Sequence, residues 1–219
     1  MALFYRNAAL LSLLVGMIAS PVVYAELNQQ FSLLEMVQSN PEAEDLSANQ
    51  GKEKANLCGI CHGQDGNTKR DFIPNLAGQN PKYLIHQFDQ FATGKRKNYV
   101  MSQLADKLTL EERVNLAVYF SKQTPAVFVP KKVNKKLTKA SSEKGRALYV
   151  SNCQVCHGQE AEGHDQLPRL ASQPATYLMK TLEKFKTNHR DRSNSPMTAI
   201  AQQLSNDQIR DVSVYLASF

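Results

Sequence analysis

All four cysteines of the 219-residue chain fall in two near-copies of one hexapeptide, Cys58-Gly59-Ile60-Cys61-His62-Gly63 and Cys153-Gln154-Val155-Cys156-His157-Gly158. Two thiols at i and i+3, followed at once by an imidazole, form the attachment pattern of c-type haem: each thiol adds to a vinyl group, and the histidine meets the iron from one axial side. A redox dithiol and half of a zinc site also use CxxC. The first needs a βαβ context and the second needs further Cys or His at ligand spacing, and the sequence supplies neither. Two covalently bound haem c groups are therefore expected, with His62 and His157 as iron ligands.

What fills the other axial position separates a carrier from a catalyst. Of six methionines, only Met101 and Met197 recur at matching places, 39 and 40 residues after His62 and His157. Met1 and Met17 fall in an apolar leader, Met36 has no counterpart, and Met179 is matched by Ile85, which suits core packing. Either methionine taken singly would read as a core residue. As a pair at matching distance they are read as the distal ligands, each in a loop before the final helix. His/Met ligation closes the iron to substrate and raises its potential, and both effects suit electron transfer. His86, His164 and His189 lack counterparts and are read as surface residues. Pro74 and Pro168 follow the proximal histidines by 12 and 11 residues. Their carbonyls are placed to accept the ring N–H and fix each imidazole, although such prolines can also simply end a loop.

These residues sit on a duplicated scaffold. Pro74-Asn75-Leu76-Ala77-Gly78-Gln79 matches Pro168-Arg169-Leu170-Ala171-Ser172-Gln173, Tyr83-Leu84 matches Tyr177-Leu178, and Phe91 matches Phe185, all 94 residues apart. Val118-Tyr119-Phe120 matches Val214-Tyr215-Leu216 at 96. Constant offsets mean a repeated unit. The copies run over 46–123 and 140–219, with a Pro- and Lys-rich linker at 124–139. An extension at 26–45 precedes them, with one short amphipathic turn before Asn40-Pro41 stops it.

Within each copy the pattern is helical. A helix leads into each CxxCH, Pro81 and Pro174 open a second, and capping boxes at Thr109–Glu112 and Ser205–Gln208 start the last. Tyr149 precedes the second motif by four residues, whereas Lys54 holds that place in the first. No strand alternation is convincing. The expected fold is all-α: two tandem cytochrome c-like domains, each wrapped around a covalent haem. A copy of about 80 residues has a marginal core by itself, and a porphyrin supplies apolar volume.

Residues 1–25 read as a signal peptide, with Arg6 ahead of an apolar run at Ala8–Ala19 and Val23-Tyr24-Ala25 as cleavage site. The run is shorter than the roughly 20 residues a spanning helix needs. Export places the protein in the periplasm, where haem is joined to CxxCH. Losing Arg6 lowers the formal charge from +6 to +5, a basic balance that suits an acidic protein surface or anionic lipid and, for an exported haem protein, not nucleic acid.

The duplicated order, with CHG twice, the Pro-x-Leu-Ala segments, the Tyr-Leu helix starts and one Met per domain, resembles the di-haem class I cytochromes c of the cytochrome c4 type over nearly all the chain from residue 46. The resemblance implies two domains facing each other across a pseudo-twofold axis, with haem propionates near the interface. It also implies that Cys58, Cys61, His62, Met101, Cys153, Cys156, His157 and Met197 hold the haems while the carbonyls of Pro74 and Pro168 support the histidines. The function it implies is a periplasmic electron carrier between respiratory-chain components, soluble or loosely attached to the inner membrane, delivering electrons towards a terminal oxidase or another redox partner.

The rival reading is a di-haem enzyme, a peroxidase or a sulfur-compound dehydrogenase, or its electron-transfer subunit. A peroxidase needs an iron that can open, and thiosulfate-oxidising di-haem enzymes use a cysteine ligand; here no cysteine is spare. Lys95-Arg96-Lys97 and Arg190 with Arg192 precede the two methionines and could steer an acidic partner onto the haem edge. Lysines 131, 132, 135, 136 and 139 read as a soluble hinge.

Overall fold

The computed structural model describes residues 21–127, 135–189, 192 and 195–219. Most of the proposed signal peptide, Arg190, Lys131 and Lys132 lie outside them. The regular structure among the described residues is helical, with one isolated bridge between His164 and Leu167. The first half contains α1 (Pro21–Gln38), α2 (Pro41–His62), α3 (Pro81–Ala92), α4 (Tyr99–Asp106) and α5 (Leu110–Ser121). The second contains α6 (Lys135–Asn152), α7 (Gln154–His157), α8 (Ala175–Lys186), α9 (Pro196–Gln202) and α10 (Asn206–Leu216).

Each half is built on a crossing of its first and last repeated helices, α2 on α5 and α6 on α10. The crossing is close because a glycine stands at its centre. A Cβ on Gly51 would collide with the Asn115 carbonyl and Tyr119, and one on Gly145 would collide with the Asp211 carbonyl and Tyr215. Both capping boxes form: Thr109 and Ser205 accept from the N3 amides, and Glu112 and Gln208 bond back.

The extension differs from the single turn expected of it. Its residues 26–38 belong to the 18-residue α1, which begins at Pro21 within the stretch read as signal peptide, and 41–45 start α2. α1 packs on α2, α3 and α5, with Leu34 and Gln30 fully buried. Asn40-Pro41 starts a helix rather than merely stopping one. Asn40 Oδ1 accepts from the Glu42 and Ala43 amides at 2.9 and 3.3 Å, and proline takes the first helical position, where no N–H is needed. Similarly, α6 begins at Lys135, inside the stretch read as linker.

The two cores are unequal. Leu84, Ile85, Phe88, Val114, Leu116 and Phe120 centre the first, whereas Tyr149, Leu178, Val212 and Leu216 centre the second. Tyr149 is fully buried beside Tyr215, and its hydroxyl donates to Gly158 O at 2.5 Å. In the first half Lys54 turns outward to pair with Glu112, and Tyr119 donates to Gln64 O at 3.1 Å instead. Different tyrosines thus bond the chain beyond each CxxCH, at the first residue after His157 and at the second after His62.

Candidate functional site

The first CxxCH is the last turn of α2; the second is α7, split from α6 by a kink at Cys153. Both helices stop on the glycine after histidine. Gly63 and Gly158 have φ of +84° and +83°, and a side chain there would strike Asn67 O or the Glu162 carboxylate. The chain then loops round to the prolines.

His62 and His157 are buried, and Nδ1 of each lies 2.9 and 3.1 Å from the carbonyl oxygens of Pro74 and Pro168. A carbonyl can only accept, so Nδ1 carries the proton and Nε2 keeps its lone pair. Burial lowers both imidazole pKa values, partly offset by these hydrogen bonds, so each ring stands neutral as a metal ligand requires.

The four thiols are free; three are half-buried and Cys156 is exposed. Burial pushes Cys58 up, and Cys153 to about 11. Such thiols are the reverse of the acidified cysteine a redox dithiol needs. Neutral imidazoles with a free Nε2, each following a pair of unpaired thiols, make a donor set that fits covalent haem.

Both methionines sit on helices rather than in loops. Met101 is in the first turn of α4, where Asn98 Oδ1 accepts from its amide at 3.0 Å, and Met197 is in the first turn of α9, where Ser195 Oγ accepts at 3.3 Å. Helices of 8 and 7 residues are too short to announce themselves by periodicity. Both methionines are half-buried, and α4 packs on α3 as α9 packs on α8. Met101 and Cys58 adjoin the first core, and Cys153 adjoins the second. Met36 is 66% exposed. His164 and His189 are exposed as expected, but His86 is half-buried on α3, and burial lowers its pKa.

Arg96 and Arg192 depart from the steering role expected of them. They turn inward to the junction of the two halves. Arg96 lies 4.4 Å over Phe91 and Arg192 5.3 Å over Phe185, and both guanidiniums reach Tyr177 Oη, at 3.5 and 3.4 Å. Tyr83 also bonds Arg192. Burial pushes Tyr177 up, yet the two guanidiniums bring it down to about 8. The repeat supplies Tyr, Phe and Arg twice, but their convergence was not legible, because it depends on how the halves dock.

The docking itself is polar. Gln79 and Gln173, the last residues of the matched hexapeptides, reach across to the backbone of Arg169 and Asn75. Asn75 Nδ2 donates to Ser172 O at 2.6 Å, and Asn80 Nδ2 to Leu167 O at 2.8 Å.

The family pattern described as cytochrome c matches residues 142–219. Cytochrome c4 of Azotobacter vinelandii is 34% identical over 195 residues, covering 80% of this chain and 89% of that protein. The thiosulfate dehydrogenase electron acceptor of Thiomonas intermedia (strain K12) is 31% identical over 178 residues, covering 75% and 79%. The crystal structure of reduced recombinant cytochrome c4 from Pseudomonas stutzeri superposes with a TM-score of 0.67 at 30% identity, covering 78% of this chain and 97% of that one. The all-α duplicated fold, the repeated donor set and these relatives lead to one conclusion: the chain belongs to the cytochrome c4 family, electron-transfer cytochromes that carry two covalently bound haem c groups.

Proposed function

We propose that the chain is a periplasmic electron carrier in which His62 with Met101 and His157 with Met197 would hold the two irons, and Cys58, Cys61, Cys153 and Cys156 would anchor the haems covalently. Haem c supplies one-electron Fe(III)/Fe(II) chemistry. The polypeptide fixes the donors so that little must rearrange as charge changes. Pro74 O and Pro168 O accept from each Nδ1–H, which leaves Nε2 with the lone pair that would hold an iron. Asn98 and Ser195 pin the methionine backbones. The observation that carries this reading is the repetition of the whole arrangement, down to the histidine–proline hydrogen bond, in two halves whose cores otherwise differ. No helix among the described residues is long and apolar enough to cross a membrane.

Spectra of the purified holoprotein with and without carbon monoxide test the ligands. Two low-spin haems that ignore the gas are expected, and Met101→Ala or Met197→Ala should let one haem bind it and lower that haem's potential. Carbon monoxide binding by the unaltered protein would overturn the closed ligation.

The physiological acceptor on this reading is a membrane-bound terminal oxidase. The Thiomonas relative favours a second assignment, acceptor of electrons from a sulfur-compound dehydrogenase. Reduction by such a dehydrogenase with its substrate, and subsequent oxidation by membranes containing the oxidase, would place the chain between the two; failure of either step removes that partner.

A further inference from the structure

The carbonyls of Pro74 and Pro168 each belong to a peptide group whose other end is held by the opposite half of the molecule. The N–H of Asn75, in the same peptide group as Pro74 O, donates to Gln173 Oε1 at 3.0 Å. The N–H of Arg169, in the same peptide group as Pro168 O, donates to Gln79 Oε1 at 2.7 Å. Each glutamine returns a second bond: Gln173 Nε2 donates to Asn75 O and Gln79 Nε2 to Arg169 O, both at 2.9 Å. Both side chains are buried, with 4% exposure apiece. The result is two continuous chains of hydrogen bonds, one running from Gln79 through the Pro168–Arg169 peptide to His157 and the other from Gln173 through the Pro74–Asn75 peptide to His62.

We propose that Gln79 and Gln173 are positioning residues that act crosswise, Gln79 setting the donor strength of His157 and Gln173 that of His62. The inference rests on the reading of these histidines as iron ligands. A peptide group is a resonance pair, so an acceptor at its N–H sends electron density to its oxygen, and hydrogen bonds in such a chain polarise one another. The richer carbonyl draws the Nδ1 proton more strongly. Nε2 then becomes the better donor, which favours ferric iron and lowers the potential. Burial of the glutamines keeps water from replacing their oxygens. Each half of the molecule thus holds the tuning residue of the other.

The test is a redox titration of the holoprotein followed by proton NMR, in which the methyl signals of each haem are assigned. Gln79→Leu should raise the potential of the haem on Cys153 and Cys156, by roughly a threefold change in its one-electron equilibrium constant on a scale of 59 mV per tenfold, and leave the haem on Cys58 and Cys61 unmoved. Gln173→Leu should do the reverse. Gln79→Glu keeps an acceptor oxygen for the Arg169 amide and should return the potential to its original value or below. Gln79→Met serves in place of Leu if the junction fails to form. No shift, a shift in the haem of the mutated half, or Glu raising the potential as Leu does would overturn the proposal. Failure of the ligand reading is separately visible, because the unaltered protein would then lack iron-shifted histidine and methionine signals.

Discussion

A carboxylate that the repeat does not share shows how far single residues depart from the pattern. Asp89 on α3 is 1% exposed and Oδ1 has no hydrogen-bond partner, whereas its counterpart Glu183 is exposed. Burial raises its pKa above the ordinary 3.8; Lys95, His86 and Arg113 pull the other way, and Glu26 on α1 adds to the rise. The folded protein therefore holds this proton to higher pH than the unfolded chain does. Stability from the protonated form is complete below 3.8 and is lost as pH rises through the folded value. Asp89→Asn should accordingly raise the melting temperature of the holoprotein at pH 7, by a margin that shrinks as pH falls towards 3.8. A margin independent of pH would assign the effect to packing instead. The sequence did not disclose this residue, because its counterpart Glu183 is exposed and α1, which packs on α3, has no counterpart among the described residues of the second half. The histidine–proline pairs were legible, since their separation of 12 and 11 residues recurs on either side of matched motifs.

At the scale of elements, legibility follows length and repetition. The capping boxes and the proline-led α3 could be located from local chemistry, and α8 opens at Ala175 directly after Pro174. The methionine-bearing α4 and α9 read as loops, because a helix of two turns leaves too little periodicity to see. α1 was underestimated since its buried face includes a glutamine, Gln30. Gly51 and Gly145, also 94 residues apart, are matched positions of the two copies, but nothing in the sequence says what they touch. Gly51→Ala and Gly145→Ala should each part a helix crossing and cost about 3 kcal/mol, the upper range for overpacking. Denaturant unfolding of the holoprotein measures this, and midpoints unchanged from the parent would show that the helices slide apart freely.

For the whole molecule, the inward turn of Arg96 and Arg192 leaves the outer charge to residues such as exposed Lys95 and Lys97. Electron exchange with an acidic redox partner should still slow as salt rises, since exposed cations raise encounter rates within a Debye length of about 10 Å at 0.1 M. Replacing Lys97 with Gln should flatten that dependence by more than replacing Arg192 does. Equal effects would mean that both cations face the partner. The glutamine rings at the junction carry a different consequence. They grip main chain alone, so the grip itself does not fix the side chain of the residue each one holds. At position 75 an asparagine bonds Ser172 and Thr68, while at 169 stands an arginine whose buried Nε lacks a hydrogen-bond partner. A duplicated ancestor joined in this way could let its halves specialise one side chain at a time, with the seam between them never having to be reinvented.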